Sequence, residues 1–323
     1  MVSREKIEMN QVWVYMVTLI AAAGIGLWRP EFSSNLESSL SFVLAVLMYG
    51  MFTQIPFFRL KEALQDRRFF YALLIMNFIA VPVIVWGLSR FLPTDPALLL
   101  GVLLVLLTPC IDYVIVFTHL GRGNAQLILI STPLLFVTQM LLLPLYLWLF
   151  MGGQASGIVS VGPFLEAFIG LIAIPLIFAL LTQWWSNHKA VGARVLNASG
   201  WLPVPFMAIT LFVIVASQIS KLYISPDYVR HAIPIYVAYM ILVPVIARIL
   251  AGIFRLDVGA GRALIFSAGT RNSLVVLPFA LALPEGLREG VTVVIVTQTI
   301  IELIGELIYV RVVPHLLMRD KPR

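Results

Sequence analysis

The chain has 323 residues, of which 60% are hydrophobic and 12% are charged. Soluble domains carry about 25% charged residues, so this composition excludes a water-soluble globular fold and predicts an integral membrane protein. The net charge of +6 is scattered over short segments between apolar blocks, without the basic groove or stripe that nucleic acid needs. Cys110 is the only cysteine, which excludes an intrachain disulfide framework and a multi-cysteine zinc cluster.

Apolar blocks of the length that crosses a bilayer, about 20 residues as a helix, recur along the chain. They predict ten spans, in order 12–28, 38–58, 69–89, 96–121, 125–150, 159–185, 195–220, 231–247, 263–283 and 290–310. A glycine-rich turn at 152–157 separates the fifth span from the sixth. If both termini are cytoplasmic, most Lys and Arg residues fall in the segments on the cytoplasmic side of the membrane. This bias predicts a multi-pass inner (plasma) membrane protein in that orientation.

An internal duplication is indicated by the motif Val-Pro-Val-Ile, which occurs at 81–84 and again at 243–246. The same separation in sequence relates Pro109 to Arg271, and each of these residues lies where an apolar span is interrupted by polar groups. With five spans in each half, the second half must be inverted relative to the first, as in many secondary transporters. The sequence thus predicts one all-α transmembrane domain over 1–323, with repeat one at 11–150, repeat two at 159–317, and broken helices in spans four and nine.

Span four contains Pro109, Cys110 and Asp112 near its centre. Proline has no amide hydrogen and clashes with the carbonyl four residues earlier, so backbone groups around Pro109 are released to bind a solute. An ordinary proline kink is the alternative interpretation. A carboxylate at mid-membrane costs about 2.5 to 3.5 kcal/mol, which predicts that Asp112 faces the bundle interior and has a partner.

Span nine carries the polar cluster Thr270-Arg271-Asn272-Ser273 directly after Gly269. We expect Arg271 to pair with Asp112 or with Glu302, because an isolated charge is unfavourable in the membrane interior. The pair is interpreted as part of a solute site, with a static structural ion pair as the alternative. A guanidinium in the site favours anionic substrates such as carboxylates or oxyanions.

Gln298, Glu302 and Glu306 lie four residues apart in span ten, so they project from one helix face as a polar stripe. Glu302 lies at mid-span and is the candidate for proton exchange. Glu306 lies nearer the cytoplasmic end and is expected to reach the membrane interface. Asn77 and Gln139 are isolated amides within spans, which is typical of hydrogen bonds between helices.

Three stretches carry a resemblance: TPCIDYVIVFTHLGRG from Thr108, FSAGTRNSLVVLPFALALP from Phe266 and VTQTIIELIGELIYVR from Val296. With the ten spans, they make the chain similar over its full length to the bile acid:sodium symporter superfamily, which includes arsenic-resistance transporters that export arsenite. The resemblance implies a secondary transporter. In arsenite exporters a Pro-Cys of the fourth helix supplies a thiol, which Pro109-Cys110 matches. The glutamate that follows the Asn of their ninth helix is replaced here by Leu274.

Sodium-coupled members of the superfamily take cation ligands from a Glu and a Gln of the ninth helix and from a Ser and an Asn of the fourth. This chain has Ser267 and Arg271 in the ninth, and Val114 and Ile115 in the fourth. The resemblance therefore leads to the hypothesis that the Arg271 guanidinium occupies the place of the coupling cation and that transport does not need sodium. Proton coupling and sodium coupling both remain open at this point.

We therefore predict a secondary transporter that moves a small, anionic solute across the inner membrane by alternating access, without a cofactor or metal. No phosphate-loop or HExxH signature occurs, which argues against an enzyme. Expected partners are a small-molecule or oxyanion substrate and the lipid bilayer. The alternatives are metalloid efflux through Cys110 and a non-transporting membrane receptor or scaffold. The predicted substrate-binding residues are Pro109, Cys110, Asp112, Thr270, Arg271, Asn272 and Ser273, and the predicted coupling stripe is Gln298, Glu302 and Glu306.

Overall fold

Residues 4–28, 39–57, 66–111, 113–152, 166, 168–224 and 226–320 are described by the computed structural model. Their regular structure is helical, with one isolated β-bridge. In chain order the helices are α1 (Arg4–Trp28), α2 (Leu40–Gln54), α3 (Arg67–Ser89), α4 (Pro96–Leu106), α5 (Val114–Leu120), α6 (Ala125–Met151), α7 (Ile169–Ser186), α8 (Ala190–Ser199), α9 (Pro203–Ile224), α10 (Pro226–Ile253), α11 (Val258–Gly269), α12 (Ser273–Leu281) and α13 (Glu285–Leu317).

Six helical segments of the described chain are long and apolar enough to cross a membrane: Arg67–Ser89, Ala125–Met151, Ile169–Ser186, Ala190–Ala216, Pro226–Ile253 and Glu285–Leu317. Shorter apolar helices are Trp13–Trp28, Phe42–Gln54 and Pro96–Leu106. The prediction of an all-helical membrane fold is therefore confirmed. The grouping into ten spans and two inverted repeats stays a prediction.

Two features of side-chain burial differ from those of a soluble protein: large apolar groups are exposed and a few charged groups are completely buried. Phe42, Leu141 and Trp148 are at least 65% exposed, whereas Arg271 and Glu302 are completely buried. Charged side chains are almost never fully buried in soluble proteins, and large apolar groups are not gathered on their surfaces. The exposed apolar groups suit lipid, and buried charges within membrane helices mark functional positions.

The described helices divide into two compact units, each drawn from both halves of the sequence. The first comprises Met1–Ile55, Ser160–Pro226 and Leu277–Val296, and the second comprises Pro56–Val159, Asp227–Val276 and Thr297–Arg323. In the first unit α1 packs along α9, and α2 packs against α7 and α9. The amide of Gln183 on α7 donates to the carbonyls of Phe52 and Ile55 at 3.0 and 2.9 Å. These bonds close the end of α2, where carbonyls have no partner within the helix.

In the second unit α11 packs against α3, α5 and α6. Helix α3 contains a π-helical turn, Met76–Ala80, just before Pro82. Pro82 has no amide hydrogen to donate to the Phe78 carbonyl four residues earlier. That carbonyl accepts instead from the hydroxyl of Tyr146 on α6, at 2.5 Å. The turn contains Asn77, which is completely buried, and π turns are frequent at functional sites.

Candidate functional site

Two helix interruptions lie in the second unit. Helices α4 and α5 are separated around Pro109, because the residue before a proline is disfavoured in the helical conformation. Helices α11 and α12 are separated by residues 270–272, where Thr270 has an extended backbone. The breaks predicted in spans four and nine are therefore present.

The two extended segments pair with each other. Pro109 and Arg271 form an antiparallel β-bridge. The bridge is flanked by two main-chain hydrogen bonds, Cys110 N to Thr270 O at 3.1 Å and Asn272 N to Thr108 O at 2.8 Å. Backbone groups that have left their helices thus satisfy each other, as they must where no water is available.

The guanidinium group of Arg271 is completely buried and is enclosed by oxygen atoms. Its Nη2 donates to Asn77 Oδ1 at 2.7 Å, to Ser267 O at 2.7 Å and to Ala268 O at 2.6 Å. Its Nη1 donates to Leu106 O at 3.4 Å. The three carbonyls lie in the last turns of α11 and α4, where carbonyls lack partners within the helix and the helix dipole is negative. Neutral oxygens therefore hold the positive charge, and we call these four acceptors the oxygen cage.

Asn77 and Tyr239 position the oxygen cage from neighbouring helices. Asn77 Nδ2 donates to Leu73 O at 3.1 Å and to Ser267 Oγ at 3.2 Å, which turns its Oδ1 towards Arg271. The Tyr239 hydroxyl donates to Ala268 O at 2.7 Å, and the ring centroid lies 5.8 Å from the guanidinium carbon. The predicted bond from Asn77 to another helix is confirmed. Its partner Arg271 was not predicted.

Glu302 binds the main chain of the break and not the guanidinium. Its Oε2 accepts from the Arg271 amide N at 2.7 Å and from Gln298 Nε2. Its Oε1 accepts from the Tyr113 hydroxyl at 2.6 Å. Within the described chain no carboxylate forms an ion pair with Arg271. Of the two predicted partners of Arg271, Glu302 is wrong, because the amide hydrogen released at the break takes its carboxylate as the acceptor. The pairing with Asp112, which lies outside the described residues, stays a prediction.

Gln298, Glu302 and Glu306 form the predicted stripe, and each is at most 3% exposed. Glu306 Oε1 lies 3.0 Å from Thr270 Oγ1, and its Oε2 has no partner among the described residues. The expectation that Glu306 reaches the membrane interface is wrong, because its side chain is completely buried. Gly269 permits this burial, since a Cβ there would lie 2.5 Å from the ring of Tyr309 and 3.4 Å from Glu306 Oε1.

Two buried polar atoms of Asn272 and Gln298 lack a hydrogen-bond partner within the described ranges. Asn272 Oδ1 accepts from Val275 N at 3.1 Å and caps the helix. Asn272 Nδ2 and Gln298 Oε1 are buried and have no partner among the described residues. Ser273 Oγ lies 2.9 Å from Thr299 Oγ1. An unsatisfied buried polar group costs about 1–3 kcal/mol, which a solute with complementary groups would relieve.

The predicted site residues that the structure describes are all buried in the second unit: Pro109, Cys110, Thr270, Arg271, Asn272, Ser273, Gln298, Glu302 and Glu306. Asp112 lies outside the described residues. Sequence reasoning missed Tyr113 and Tyr239, whose hydroxyl groups gave no signal beyond aromatic residues in apolar spans. In the described part of the chain no three His, Cys, Asp or Glu residues come together to hold a metal ion.

The fold and the buried polar cluster define the class: an integral membrane protein of apolar helices with charged groups at paired helix breaks. The sequence model of the sodium bile acid symporter family matches residues 41–224, more than half of the chain. The chain belongs to this family of transporters, and it is a secondary transporter of a small molecule. The matched segment includes Pro109 and Cys110, whereas Arg271 and Glu302 lie beyond it. No curated protein sequence matches the chain.

Replacing Asn77 by Leu removes the only side-chain oxygen of the cage around Arg271. We expect the free energy of unfolding to fall by about 1–3 kcal/mol or more, because a buried charged donor loses an acceptor. Thermal unfolding of the purified protein in detergent measures the change. Gln54→Leu, at an exposed position on α2, is the control and is expected to leave the melting temperature unchanged. Equal stability of the two variants would show that the amide does not support Arg271.

Proposed function

We propose that this transporter moves a small anionic solute across the inner membrane by alternating access. Its ten spans form two inverted five-helix repeats, and both termini are cytoplasmic. The observation that carries the proposal is the buried pairing of two helix interruptions with charged and amide side chains around it. Non-helical backbone is tolerated at membrane depth where it is buried in protein or lines a cavity. In transporters built from inverted repeats, such backbone forms the solute site.

The main-chain bonds at the break support the inverted repeat. Residues 108–110 correspond to 270–272 under the separation that relates the two Val-Pro-Val-Ile motifs. Under the same correspondence the bond from Cys110 N to Thr270 O has its counterpart in the bond from Asn272 N to Thr108 O. Replacing each residue by its counterpart in the other repeat therefore converts one of these hydrogen bonds into the other. A two-fold axis through the Pro109–Arg271 bridge has this property.

An anionic group on the solute is supported by the donors at the start of α12. The N-terminal end of a helix carries a partial positive charge and attracts anions. Asn272 Nδ2 adds a buried donor that has no partner in the described part of the chain. Nη2 of Arg271 is fully engaged by the oxygen cage, whereas Nε is buried and has no partner among the described residues, so the guanidinium adds its electric field and one further N–H donor.

The oxygen cage supports the hypothesis that Arg271 takes the place of a coupling cation. Carbonyl and amide oxygens that converge at the ends of two helices are the ligands with which membrane proteins replace the hydration shell of a monovalent cation. Here the same oxygens accept hydrogen bonds from a fixed positive charge. A second cation beside it would be repelled. Transport by this chain is therefore independent of sodium, although its family is named for sodium coupling.

Liposomes containing the purified protein are expected to take up at least one of four radiolabelled anions: sulfate, phosphate, succinate or taurocholate. Replacing external sodium by choline is expected to leave the rate unchanged, because the cation position is filled by Arg271. Protein-free liposomes and a neutral solute, glucose, are the controls. Strong sodium dependence would overturn the assignment of Arg271. Uptake of glucose but of none of the anions would overturn the proposal that the solute is an anion. The absence of any flux would favour the receptor or scaffold alternative.

Arg271→Gln removes the fixed charge and leaves the cage oxygens of Asn77, Ser267 and Ala268. We expect the variant to bind radioactive sodium ions at equilibrium, whereas the wild type binds none above background. Arg248→Gln, at an exposed position on α10, is the matched control and is expected to behave as the wild type. Sodium binding by the wild type, or its absence from a folded Arg271→Gln variant, would contradict the replacement of a cation by Arg271.

Metalloid efflux is the second candidate, favoured by the position of Cys110 at the paired break. The residue is completely buried, and its amide bonds to Thr270 O. A soft thiolate suits trivalent arsenic, although a buried cysteine also serves as a small apolar residue. Cys110→Ser in cells exposed to arsenite separates the two roles. On the anion proposal resistance is unchanged by the substitution, and a loss of resistance would establish metalloid export in its place.

A further inference from the structure

The hydroxyl group of Thr270 lies between two acceptors, although it can donate only one hydrogen bond. Its Oγ1 is 2.7 Å from Phe266 O, within the last turn of α11, and 3.0 Å from Glu306 Oε1 on α13. A hydroxyl group donates one hydrogen bond and accepts others. If the hydrogen goes to Phe266, the contact with Glu306 needs a hydrogen from the carboxyl group. If Glu306 is ionised, the hydrogen of Thr270 must turn towards it.

Each protonation state of Glu306 therefore has its own hydrogen-bond pattern. The protonated acid donates from Oε1 to Thr270, and Thr270 donates to Phe266 O. The ionised carboxylate accepts from Thr270, and Phe266 O keeps only the Thr270 amide N–H, at 2.9 Å. The change breaks one O–H bond, on Glu306, and transfers its proton to water. No oxidant or reductant takes part.

Glu302, one helical turn away, contrasts with Glu306. Both oxygens of Glu302 accept hydrogen bonds, from an amide N–H, a side-chain amide and a tyrosine hydroxyl. Three donors fit an ionised carboxylate, which is acceptor-only. Glu306 has one hydroxyl neighbour, and its Oε2 is buried without a partner among the described residues. The Tyr113 hydroxyl also lies 3.2 Å from Arg271 O, but the two amide donors bind Oε2 of Glu302 whichever acceptor the hydroxyl takes. The stripe thus holds one carboxylate whose Oε2 always accepts two hydrogen bonds and one carboxyl group with two alternative patterns.

The charges around Glu306 favour a single mobile proton. The titratable groups that face it are Glu302 and Tyr309 on its own helix, Arg271 at the break and Tyr239 on α10. Of these groups, Arg271 and an ionised Glu302 carry opposite charges, which largely cancel because the two groups lie close together. Among the described residues this leaves Glu306 as the group whose proton sets the net charge of the cluster.

The break is directly connected to this proton. Thr270 is the first residue after α11 and precedes Arg271, and its carbonyl accepts the Cys110 amide of the other interruption. A change in the Thr270 hydroxyl bond therefore acts on the end of α11 and on the paired segments. We propose that Glu306 is a proton-binding site, loaded and unloaded during the transport cycle, whose state is passed to the paired helix breaks through Thr270. The inference rests on the proposed transport function, and it names the proton as the coupling ion of that site.

Infrared difference spectroscopy of the purified protein in lipid tests the site without a solute. A protonated carboxyl group gives a C=O stretching band that shifts on exchange into heavy water. We expect a band that disappears on acid-to-alkaline titration, is lost in Glu306→Gln, and persists in Glu302→Gln and in Glu285→Gln, an exposed carboxyl on the same helix. Thr270→Val is expected to shift the band, because the acid loses its hydroxyl neighbour. A spectrum unchanged by Glu306→Gln, or a band lost in Glu302→Gln alone, would overturn the proposal.

Coupling is measured with the four labelled anions in liposomes carrying a pH gradient. We expect the gradient to stimulate wild-type uptake several-fold. In Glu306→Gln, exchange of internal for external anion is expected to continue while stimulation by the gradient is lost. Stimulation that survives in this variant would overturn the coupling role. Failure of every anion to cross, combined with a carboxyl band assigned to Glu306, would refute the proposed transport function while leaving the proton site in place.

Discussion

A guanidinium group buried among apolar helices needs an acceptor for its hydrogens, and in this protein the acceptors are mainly the ends of broken helices. The carbonyls of Ser267, Ala268 and Leu106 have no partners within α11 and α4, so the interruption of each helix supplies what the Arg271 side chain lacks. The reverse also holds, because unsatisfied carbonyls inside a membrane cost several kcal/mol each. Helix breaks and buried positive charge thus stabilise each other.

This arrangement explains why the carboxylates of α13 have separate roles. The Nη atoms of Arg271 bind neutral oxygens, and Glu302 binds the main-chain amide of the break together with Tyr113 and Gln298. Among the described residues Glu306 has Thr270 as its hydrogen-bond partner, and the hydroxyl of Thr270 has alternative acceptors. A buried polar network is costly when partly satisfied, and a group with two complete hydrogen-bond patterns is suited to change its state.

Membership of the sodium bile acid symporter family accounts for the class of protein, and the proposals about its ions rest on residues beyond the matched segment. The match covers residues 41–224, and the cluster of Arg271, Glu302 and Glu306 lies after it. Fold and chemistry are separable in this way because the helices are specified by apolar surface, whereas coupling depends on a few polar atoms at one place. On the proposed function, a fixed positive charge in the oxygen cage would change which ions are usable without changing the helices that form the cage.

The sequence by itself determined the helices, the breaks and the polar stripe, since each follows from local properties of the chain. Apolar blocks predict membrane helices, Pro109 and the polar residues after Gly269 interrupt them, and a four-residue spacing places Gln298, Glu302 and Glu306 on one face. The tertiary structure alone decided the partners. Arg271 was predicted to bind Asp112 or Glu302. Among the described residues it binds Asn77 and helix ends and not Glu302, because a partner is chosen by which oxygens come within about 3 Å, and that distance depends on packing between helices remote in sequence. Burial of Glu306 was decided in the same way, by the close approach of α13 to Gly269.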